Sequence, residues 1–334
     1  MAADPLSDVL AMVRLSGALT FRVDIKGPWG IAGDPTLDKF ASVLPPGTNH
    51  IIAFHIVISG ECWVRHASRD WFPVPQGHAV VFPHGDRHEL ADQRGRRTAP
   101  FAAMLGGRPL LALRRERFES GPGPRTSILC GFLGCDRRAF EPLFTSLPPL
   151  FTVCFKGHND ALLDYAANEA LEERPGADSL RVRMAELLFM EALSLHMQTL
   201  PENATGWLAG LRDPLVGRAL RALHETPAQP WTVETLAAEI NSSRSSLAGR
   251  FSDVIGDPPM RYLTGVRMQR AALYLINRTC SIDRVASEVG YESSAAFQRA
   301  FKHHFGTPPA AWRRAAKSLR RDSGEEVSTV ALPR

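Results

Sequence analysis

Two stretches in the last third of the sequence repeat one another, and this repeat constrains the fold more than any other feature. Thr232 stands before four helically spaced apolar residues, and Ser281 stands before four more, each 49 positions after its counterpart. The matching residues are Val233, Leu236, Ala237 and Ile240 in the first stretch and Ile282, Val285, Ala286 and Val289 in the second. Beyond a short turn the spacing becomes 50, and a second apolar series ends at Gly256 and Gly306. Each stretch therefore predicts a short helix, a tight turn and a longer helix that a glycine ends.

A short helix joined by a tight turn to a second helix is the plan of a helix-turn-helix. The Thr and Ser that begin the repeats can cap the first helices, and the small Ala237 and Ala286 allow close helix crossing. We expect the two units over residues 232–255 and 281–305, joined by a helix over 260–275. That joining helix would span ~24 Å, which is of the order of the ~34 Å between two reading helices on DNA.

The second helix of each unit is predicted to turn a polar face outward. The residues of these faces are Arg244, Ser245 and Gly249 in the first unit and Ser294, Gln298 and Arg299 in the second. Small side chains allow close approach in a major groove, and Arg and Gln can bind guanine and adenine edges in bidentate fashion. For Arg250 and Lys302 we favour phosphate contact over the alternative of a solvated helix face.

The net charge of +4 is unevenly distributed along the chain. Residues 214–321 carry a net charge of +8, whereas residues 1–213 and 322–334 each carry −2. A basic block on a near-neutral body indicates an anionic partner for that block. Together with the repeat, it predicts double-stranded DNA as the partner.

Sequence motifs in the basic block point to one family. The run Gly-Asp-Pro-Pro-Met-Arg-Tyr-Leu at 256–263 precedes Arg267-Met268, and residues 282–309 contain Val-Ala-Ser-Glu-Val-Gly-Tyr, Phe-Gln-Arg-Ala-Phe-Lys and Phe-Gly-Thr-Pro-Pro. With these motifs, residues 214–314 resemble the DNA-binding domain of the AraC/XylS family of bacterial transcription regulators. The resemblance implies that both units enter successive major grooves, with base contacts at the six outward residues named above. RNA polymerase is a further partner to consider.

The first 155 residues show the pattern of short strands. Phe21, Val23 and Ile25 alternate with polar residues, and four more apolar segments between residues 50 and 82 are separated by turn sequences. Closely spaced short strands of this kind predict an antiparallel barrel or sandwich.

Residues 77–88 fit the second cupin motif, in which a Pro-x-Gly turn precedes a histidine, here His88. The first cupin motif requires His-x-His, which the sequence lacks, and His50 and His55 would face opposite sides of a regular strand. We therefore expect no metal ion and no other cofactor. With the runs at 54–64, Phe-His-Ile-Val-Ile-Ser-Gly-Glu-Cys-Trp-Val, and 129–131, Leu-Cys-Gly, the region resembles the cupin sensor domain of one AraC-family branch.

That resemblance implies a regulatory module and not an enzyme. A small organic effector is the expected signal, and the residues expected to line its pocket are His55, Trp63, His84 and His88. One alternative is thiol-based redox sensing at Cys135, with Cys130 as a second candidate, since the following arginines could lower the pKa of Cys135. The other is a cupin metalloenzyme that carries a DNA-binding tail.

The sequence as a whole predicts an α+β multidomain protein. Its parts are a cupin-like antiparallel β-barrel over 1–155, a helical linker over 156–213, an all-α double helix-turn-helix over 214–321 and a flexible tail over 322–334. The linker's strongest helix, 178–200, is apolar on more than one face, which predicts a homodimer, with an internal core helix as the alternative. No apolar run reaches the ~18–20 residues of a membrane span, and no signal peptide is evident. We expect a cytoplasmic protein with reduced thiols.

Overall fold

The computed structural model describes residues 4–13, 15–41, 44, 48–169 and 175–322. Apart from Asp322, the predicted tail lies outside the described residues. The chain forms two compact units. Residues 13–209 form the first, called the sheet unit below. The second, the helical unit, combines the residues up to Met12 with those from Gly210 onward.

The chain begins, in its described part, with helix α1 (Pro5–Val13). Asp4 caps this helix, because its two carboxylate oxygens accept hydrogen bonds from the backbone N–H groups of Leu6, at 3.1 Å, and Ser7, at 3.2 Å.

The strands of the sheet unit fall into two sheets. They are β1 (Ser16–Lys26), β2 (Gly30–Gly33), β3 (His50–Ser59), β4 (Cys62–His66), β5 (Arg69–Val74), β6 (His78–Phe82), β7 (His88–Ala91), β8 (Ala99–Pro100), β9 (Arg115–Glu119), β10 (Arg125–Cys135) and β11 (Phe151–Cys154). One sheet has the order β11-β6-β3-β10-β1-β9, and the other has the order β5-β4-β7-β2-β8.

The predicted antiparallel barrel needs correction in two respects. Within the described residues the strands form two open sheets and not one closed barrel. Two edge strands pair in parallel, β9 with β1 and β8 with β2, while the other pairings are antiparallel. Both edge strands belong to the segment between β7 and β10. This segment adds β8 to the edge of one sheet and β9 to the edge of the other, each parallel to its neighbour.

The core of the sheet unit follows from strand alternation. Phe21, Val23 and Ile25 point into one apolar cluster with Ile51, Val57 and residues from the second sheet. Each of these three β1 side chains is 2% exposed or less, and burying one such side chain contributes about 1.5–3 kcal/mol. The predicted face of β1 is therefore confirmed.

Helices of the sheet unit connect and follow the strands. They are α2 (Leu37–Phe40), α3 (Phe101–Met104), α4 (Glu141–Thr145), α5 (Asp160–Glu169) and α6 (Ala177–Thr199), with short 3-10 turns at Leu110–Ala112 and Arg137–Ala139. Helix α7 (Trp207–Arg212) leads out of this unit. The strong helix predicted at 178–200 is thus confirmed as α6. Its first half contacts β1, where the hydroxyl of Thr20 donates to the backbone carbonyl of Arg181 at 3.3 Å.

The helical unit contains the predicted repeat. Its helices are α8 (Val216–Glu225), α9 (Val233–Glu239), α10 (Arg244–Ile255), α11 (Pro259–Asn277), α12 (Ile282–Glu288), α13 (Ser294–Phe305) and α14 (Pro309–Asp322). The predicted units at 232–255 and 281–305 correspond to α9–α10 and α12–α13, and the predicted joining helix is α11.

Helix α1 also belongs to the helical unit, which the sequence did not predict. The Asp8 carboxylate accepts hydrogen bonds from His224 Nδ1 at 2.8 Å and Arg270 Nη2 at 2.9 Å. His224 is fully buried, and its Nε2 lies 2.7 Å from the hydroxyl of Tyr262. These bonds connect α1 to α8 and α11.

Candidate nucleic-acid interface and effector site

The first helix-turn-helix unit is held by reciprocal caps and a tight turn. Thr232 Oγ1 accepts from the N–H of Thr235 at 3.1 Å, and Thr235 Oγ1 accepts from the N–H of Thr232 at 2.9 Å. In the turn, Asn241 adopts a left-handed φ of 52°, and the N–H of Ser242 donates to the carbonyl of Ala237 at 2.8 Å.

The second unit repeats this construction with one extra residue. Ser281 Oγ accepts from the N–H of Arg284 at 3.1 Å. Gly290 adopts the left-handed φ, at 84°, and the N–H of Tyr291 donates to the carbonyl of Ala286 at 2.9 Å. The equivalent bonds show that the sequence repeat is a structural repeat, and Ala237 and Ala286 are both buried.

The outward face of α10 is small and polar. Arg244, Ser245 and Gly249 are exposed, whereas Leu247 and Phe251 are fully buried. A side chain at position 249 would meet no atom within 4 Å. Arg244 pairs with Glu234 at 2.8 Å, but both side chains are more than half exposed, so this pair contributes little and can give way to a ligand.

The outward face of α13 is more strongly polar and basic. Gln298, Arg299 and Lys302 are exposed, and Gln298 Nε2 donates to Ser294 Oγ at 3.3 Å. Arg299 and Lys302 have no ion-pair partner among the described residues. Buried Phe297 and Phe301 fix the opposite face of the helix. The two side chains are therefore free to meet an anion.

Arg250, a predicted phosphate contact, is exposed and also forms an ion pair. Its Nε and Nη2 atoms lie 2.8 and 2.7 Å from the carboxylate of Asp213. That carboxylate also accepts from the N–H groups of Leu215 and Val216, both at 2.9 Å. Arg250 thus pairs with the residue that caps the start of α8. The local sequence could not predict this pair, because Asp213 lies 37 residues away.

In the sheet unit, two of the predicted effector residues meet in the core. His55 Nε2 and His88 Nε2 lie 2.8 Å apart. On its other side, His55 Nδ1 lies 3.1 Å from Cys130 Sγ, and His88 Nδ1 lies 2.8 Å from the carbonyl oxygen of Asp86. His55 and His88 are 4% and 1% exposed, so this cluster lies within the apolar core.

The contacts of the cluster assign its hydrogens. A carbonyl oxygen only accepts, so His88 Nδ1 carries the proton and His88 Nε2 accepts. His55 Nε2 must then donate to His88, and His55 Nδ1 accepts from the thiol of Cys130. Burial lowers the pKa of His55 well below its usual value, with a smaller effect from His88, and burial lowers the pKa of His88 to about 4. Both rings are neutral at physiological pH.

The strand parity predicted for the histidines of β3 is confirmed. His55 shares the core-facing side of β3 with Ile51, Ala53 and Val57. His50 faces the opposite side, where its ring lies edge-on to Phe144 at 4.9 Å.

The other two predicted effector residues do not join the cluster. His84 is half-buried, and its Nε2 lies 3.2 Å from the carbonyl oxygen of Leu147. Trp63 lies between the buried Cys62 and Val64 on β4 and faces away from the core. His66, which period-two alternation from Cys62 would have identified, is buried instead, and its Nε2 lies 3.3 Å from the carboxylate of Asp86.

The environment of the cysteines differs from the predicted one. Cys135 is buried, and burial together with the adjacent Asp136 raises its pKa to about 12, which outweighs the opposing effect of Arg137. Burial also raises the pKa of Cys62 to about 12 and raises that of Cys130 further. The expectation that basic neighbours lower the pKa of Cys135 is wrong, because desolvation of the thiolate dominates.

No cluster of three or more His, Cys, Asp or Glu side chains suited to a metal ion occurs in the described part of the chain. Nor does the described part contain a helix with the length and apolar character that crossing a bilayer requires.

Comparison with known proteins identifies the family. Residues 4–198 match the cupin family, and residues 236–315 match a helix-turn-helix domain family. A putative AraC-like transcription regulator of Streptomyces lividans is 30% identical over 318 residues, which are 93% of this chain and 98% of that protein. The chain belongs to the AraC family of transcription regulators. The predicted family, DNA-binding function and cupin region are thereby confirmed.

This AraC-family regulator is also similar to a second curated protein and to a solved structure. A putative AraC-like transcription regulator of Streptomyces antibioticus is 28% identical over the same fractions of the two chains. Among solved structures, the DNA-binding domain of AdpA in complex with a target DNA is 35% identical, with a TM-score of 0.31. The match covers 34% of this chain and 99% of that one.

Proposed function

We propose that this regulator binds promoter DNA through the outward faces of α10 and α13 and that its sheet unit senses a small organic effector. The observation that supports the DNA-reading residues is the exposure of Gln298, Arg299 and Lys302 on a helix whose opposite face is buried. Arg244, Ser245 and Gly249 form the smaller reading face of the first unit, and RNA polymerase is the further protein partner to test. Because the proposed target is promoter DNA, we infer action in the cytoplasm.

A salt titration of DNA binding by the full-length protein tests this proposal. Each phosphate that a lysine or arginine neutralises releases counterions, so the logarithm of the binding constant should fall linearly with the logarithm of salt concentration. With several phosphate contacts, the loss between 50 and 200 mM salt should exceed about tenfold. A binding constant that does not change over this range would contradict phosphate contact by the basic faces.

The sensing proposal centres on His55 and His88. Burying polar rings in an apolar core is costly unless their hydrogen bonds are satisfied, and here each ring satisfies the other. A ligand that entered between the sheets with its own donor and acceptor could replace that mutual bond and be oriented by the same atoms. Trp63 and His84 would then contribute only at the rim.

Substitution of the core histidine tests the sensing proposal. His88→Leu should abolish the response of a reporter promoter to its inducer while the protein still binds DNA. His158→Leu, at an exposed position, is the matched control and should respond normally. A normal response from a folded His88→Leu protein would contradict this site.

Thiol-based sensing is the alternative, and the structure disfavours it. The thiols of Cys62, Cys130 and Cys135 are buried, and their raised pKa values suppress the reactive thiolate. A combined Cys→Ser variant at 62, 130, 135 and 154 that still responds to the inducer would exclude redox sensing. Loss of the response in Cys135→Ser alone would favour it.

We also propose that α6 forms a homodimer contact. Its side chains Leu188, Ala192 and Leu195 are buried, but Leu187 and Met190 on another face are 43% and 37% exposed. Large apolar side chains side by side on a helix surface are typical of an interface. We propose no catalytic step, because the first cupin motif is missing from the sequence.

A further inference from the structure

The loop that leads into the first helix-turn-helix unit contacts the second unit at a place that involves neither reading helix. The loop over residues 226–231, between α8 and α9, reaches the turn of the second unit. An added Cβ at Gly290 would lie 2.5 Å from the carbonyl oxygen of Ala228. The backbones at Gly290 and Ala228 are therefore too close for a side chain at position 290 to fit between them.

Arg267 of α11 holds this contact. Its Nε donates to the carbonyl of Pro227 and its Nη2 donates to the carbonyl of Gln229, both at 2.7 Å. Its guanidinium carbon lies 5.9 Å from the centre of the Tyr291 ring, within the range of a cation–π interaction. One side chain thus joins the loop before the first unit, the central helix and the turn of the second unit.

Each surface that Arg267 contacts is itself fixed within its unit. The loop is closed by Trp231, whose indole N–H donates to the carbonyl of Thr226 at 3.0 Å. The Tyr291 ring lies edge-on to Phe297, with centroids 5.8 Å apart, and Phe297 is fully buried in α13. A rotation of one unit against the other would break contacts on both sides of Arg267.

Comparison of the two turns shows that the glycine serves the contact between units. Asn241 occupies the equivalent left-handed position in the first unit, so that backbone conformation alone does not require glycine, since asparagine tolerates it. At position 290 a side chain would strike Ala228.

We propose that Arg267 is a positioning residue that, with the Gly290–Ala228 contact, fixes the spacing and angle between α10 and α13 and so sets the separation of the two DNA boxes that the protein recognises. This rests on the proposed reading of DNA by both units. Rigid connection raises the effective concentration of the second unit at its box once the first is bound. Loosening the connection lowers this advantage without altering either reading face.

In vitro selection from random duplex DNA, followed by affinity measurements on full-length protein, tests the proposal. Wild-type protein should select two boxes at one spacing. Arg267→Ala and Gly290→Asn should select the same boxes at several spacings and should bind the two-box duplex about tenfold more weakly. Their affinity for a duplex with a single box should stay unchanged.

The variants separate positioning from folding. Asn241→Gly changes the equivalent turn without touching the contact and should retain a single spacing. A variant that is only destabilised would lose affinity for one-box and two-box duplexes alike. If Arg267→Ala fails to fold, Arg267→Lys provides a milder test, because lysine keeps the charge but cannot donate two hydrogen bonds in the arginine geometry. If all variants selected the same single spacing with the same affinity, the positioning role of Arg267 and Gly290 would be wrong. If wild-type protein selected only a single box, the proposed reading of DNA by both units would be wrong.

Discussion

The imidazole rings of His55 and His88 donate and accept a single hydrogen bond, with their Nε2 atoms 2.8 Å apart in the core of the sheet unit. The bond requires the His88 ring to be neutral, because its Nε2 is the acceptor and a protonated ring has no acceptor nitrogen. The Asp86 carbonyl and the Cys130 thiol occupy the outer nitrogens. Protonation of His88 would therefore break the bond between the rings, and protonation of His55 would break its bond from the Cys130 thiol. Either event would place a charge in the apolar core.

This relationship predicts a pH-dependent stability. The pKa of His88 is about 4 in the folded protein, against an ordinary value of about 6.5 in the unfolded chain. The unfolded chain therefore binds the proton first, so the free energy of unfolding should be constant above pH 6.5 and fall as pH drops towards 4. The slope should reach about 1.4 kcal/mol per pH unit for this ring.

Denaturant unfolding of the full-length protein between pH 4.5 and 8 measures this slope. His88→Gln should reduce the slope by the contribution of one ring, since His55 still titrates below its ordinary pKa, and the exposed His158→Gln should leave the slope unchanged. Equal slopes in wild type and His88→Gln would mean that His88 does not titrate differently in the two states.

Arg299 and Lys302 should differ in what they contribute to DNA binding. We expect Arg299→Ala to cost ~1–3 kcal/mol at the cognate site and to relax one base position, since arginine reads guanine in bidentate fashion. Lys302→Ala should weaken binding to all sequences about equally and reduce the salt slope. Competition among operators with single base changes measures both effects. An unchanged operator ranking for Arg299→Ala would make Arg299 a backbone contact.

The five cysteines should divide by reactivity. Cys154 and Cys280 are half-buried, whereas Cys62, Cys130 and Cys135 are buried, with raised pKa values that disfavour the thiolate. A thiol reagent at pH 7.5 should therefore label Cys154 and Cys280 in native protein and the other three only after unfolding. Mass spectrometry of the labelled peptides identifies which cysteines have reacted. Rapid labelling of Cys135 in the native protein would favour thiol-based sensing over the small-effector proposal.

The exposed face of α6 predicts that a single charge disrupts the proposed dimer. Leu187→Asp places a carboxylate where two apolar surfaces would meet, and the protein should sediment as a monomer. Ser179→Asp, at an exposed position in the first turn of the same helix, should leave association unchanged. A wild-type monomer at tens of micromolar, about the range of weak dimers, would refute the interface.

Asp8→Asn tests the attachment of α1. Burial opposes ionisation of Asp8, but the bonds from His224 and Arg270 outweigh it and lower its pKa. An asparagine loses the charge and one acceptor oxygen, so we expect the free energy of unfolding to fall by about 1–2 kcal/mol. Asp164→Asn, at an exposed position of α5, is the control. Equal stability of the two variants would show that the Asp8 bonds contribute nothing.

The parts of the structure that could be predicted are those with local signals. The helix-turn-helix units depend on caps, apolar spacing and glycine stops within about 25 residues, and α10 and α13 end at Ile255 and Phe305 as predicted. The alternation of β1 and the parity of His55 were also evident, because each follows from a single strand.

The parts that could not be predicted depend on distant pairs. Cys130 opposes His55 because β10 pairs with β3, and no sequence signal gives that register. The pKa of Cys135 is raised mainly by burial, whereas its charged sequence neighbours suggest a solvent-exposed position. The phosphate contact predicted for Arg250 stays a prediction, but its pairing with Asp213, 37 residues earlier, has no local signal. In each case a long-range contact adds what the local sequence does not show.

The bond between Asp8 and His224 joins residues 216 positions apart. During protein synthesis, at about 5–20 residues per second, α1 leaves the ribosome roughly 13–53 s before both α8 and α11 are complete. Throughout that interval the whole sheet unit is made, while Val9 and Met12, buried in the finished protein, lack their final surroundings. The helical unit can therefore be completed only after translation of α11, and a fusion partner placed ahead of α1 would be carried on the DNA-binding part of the molecule.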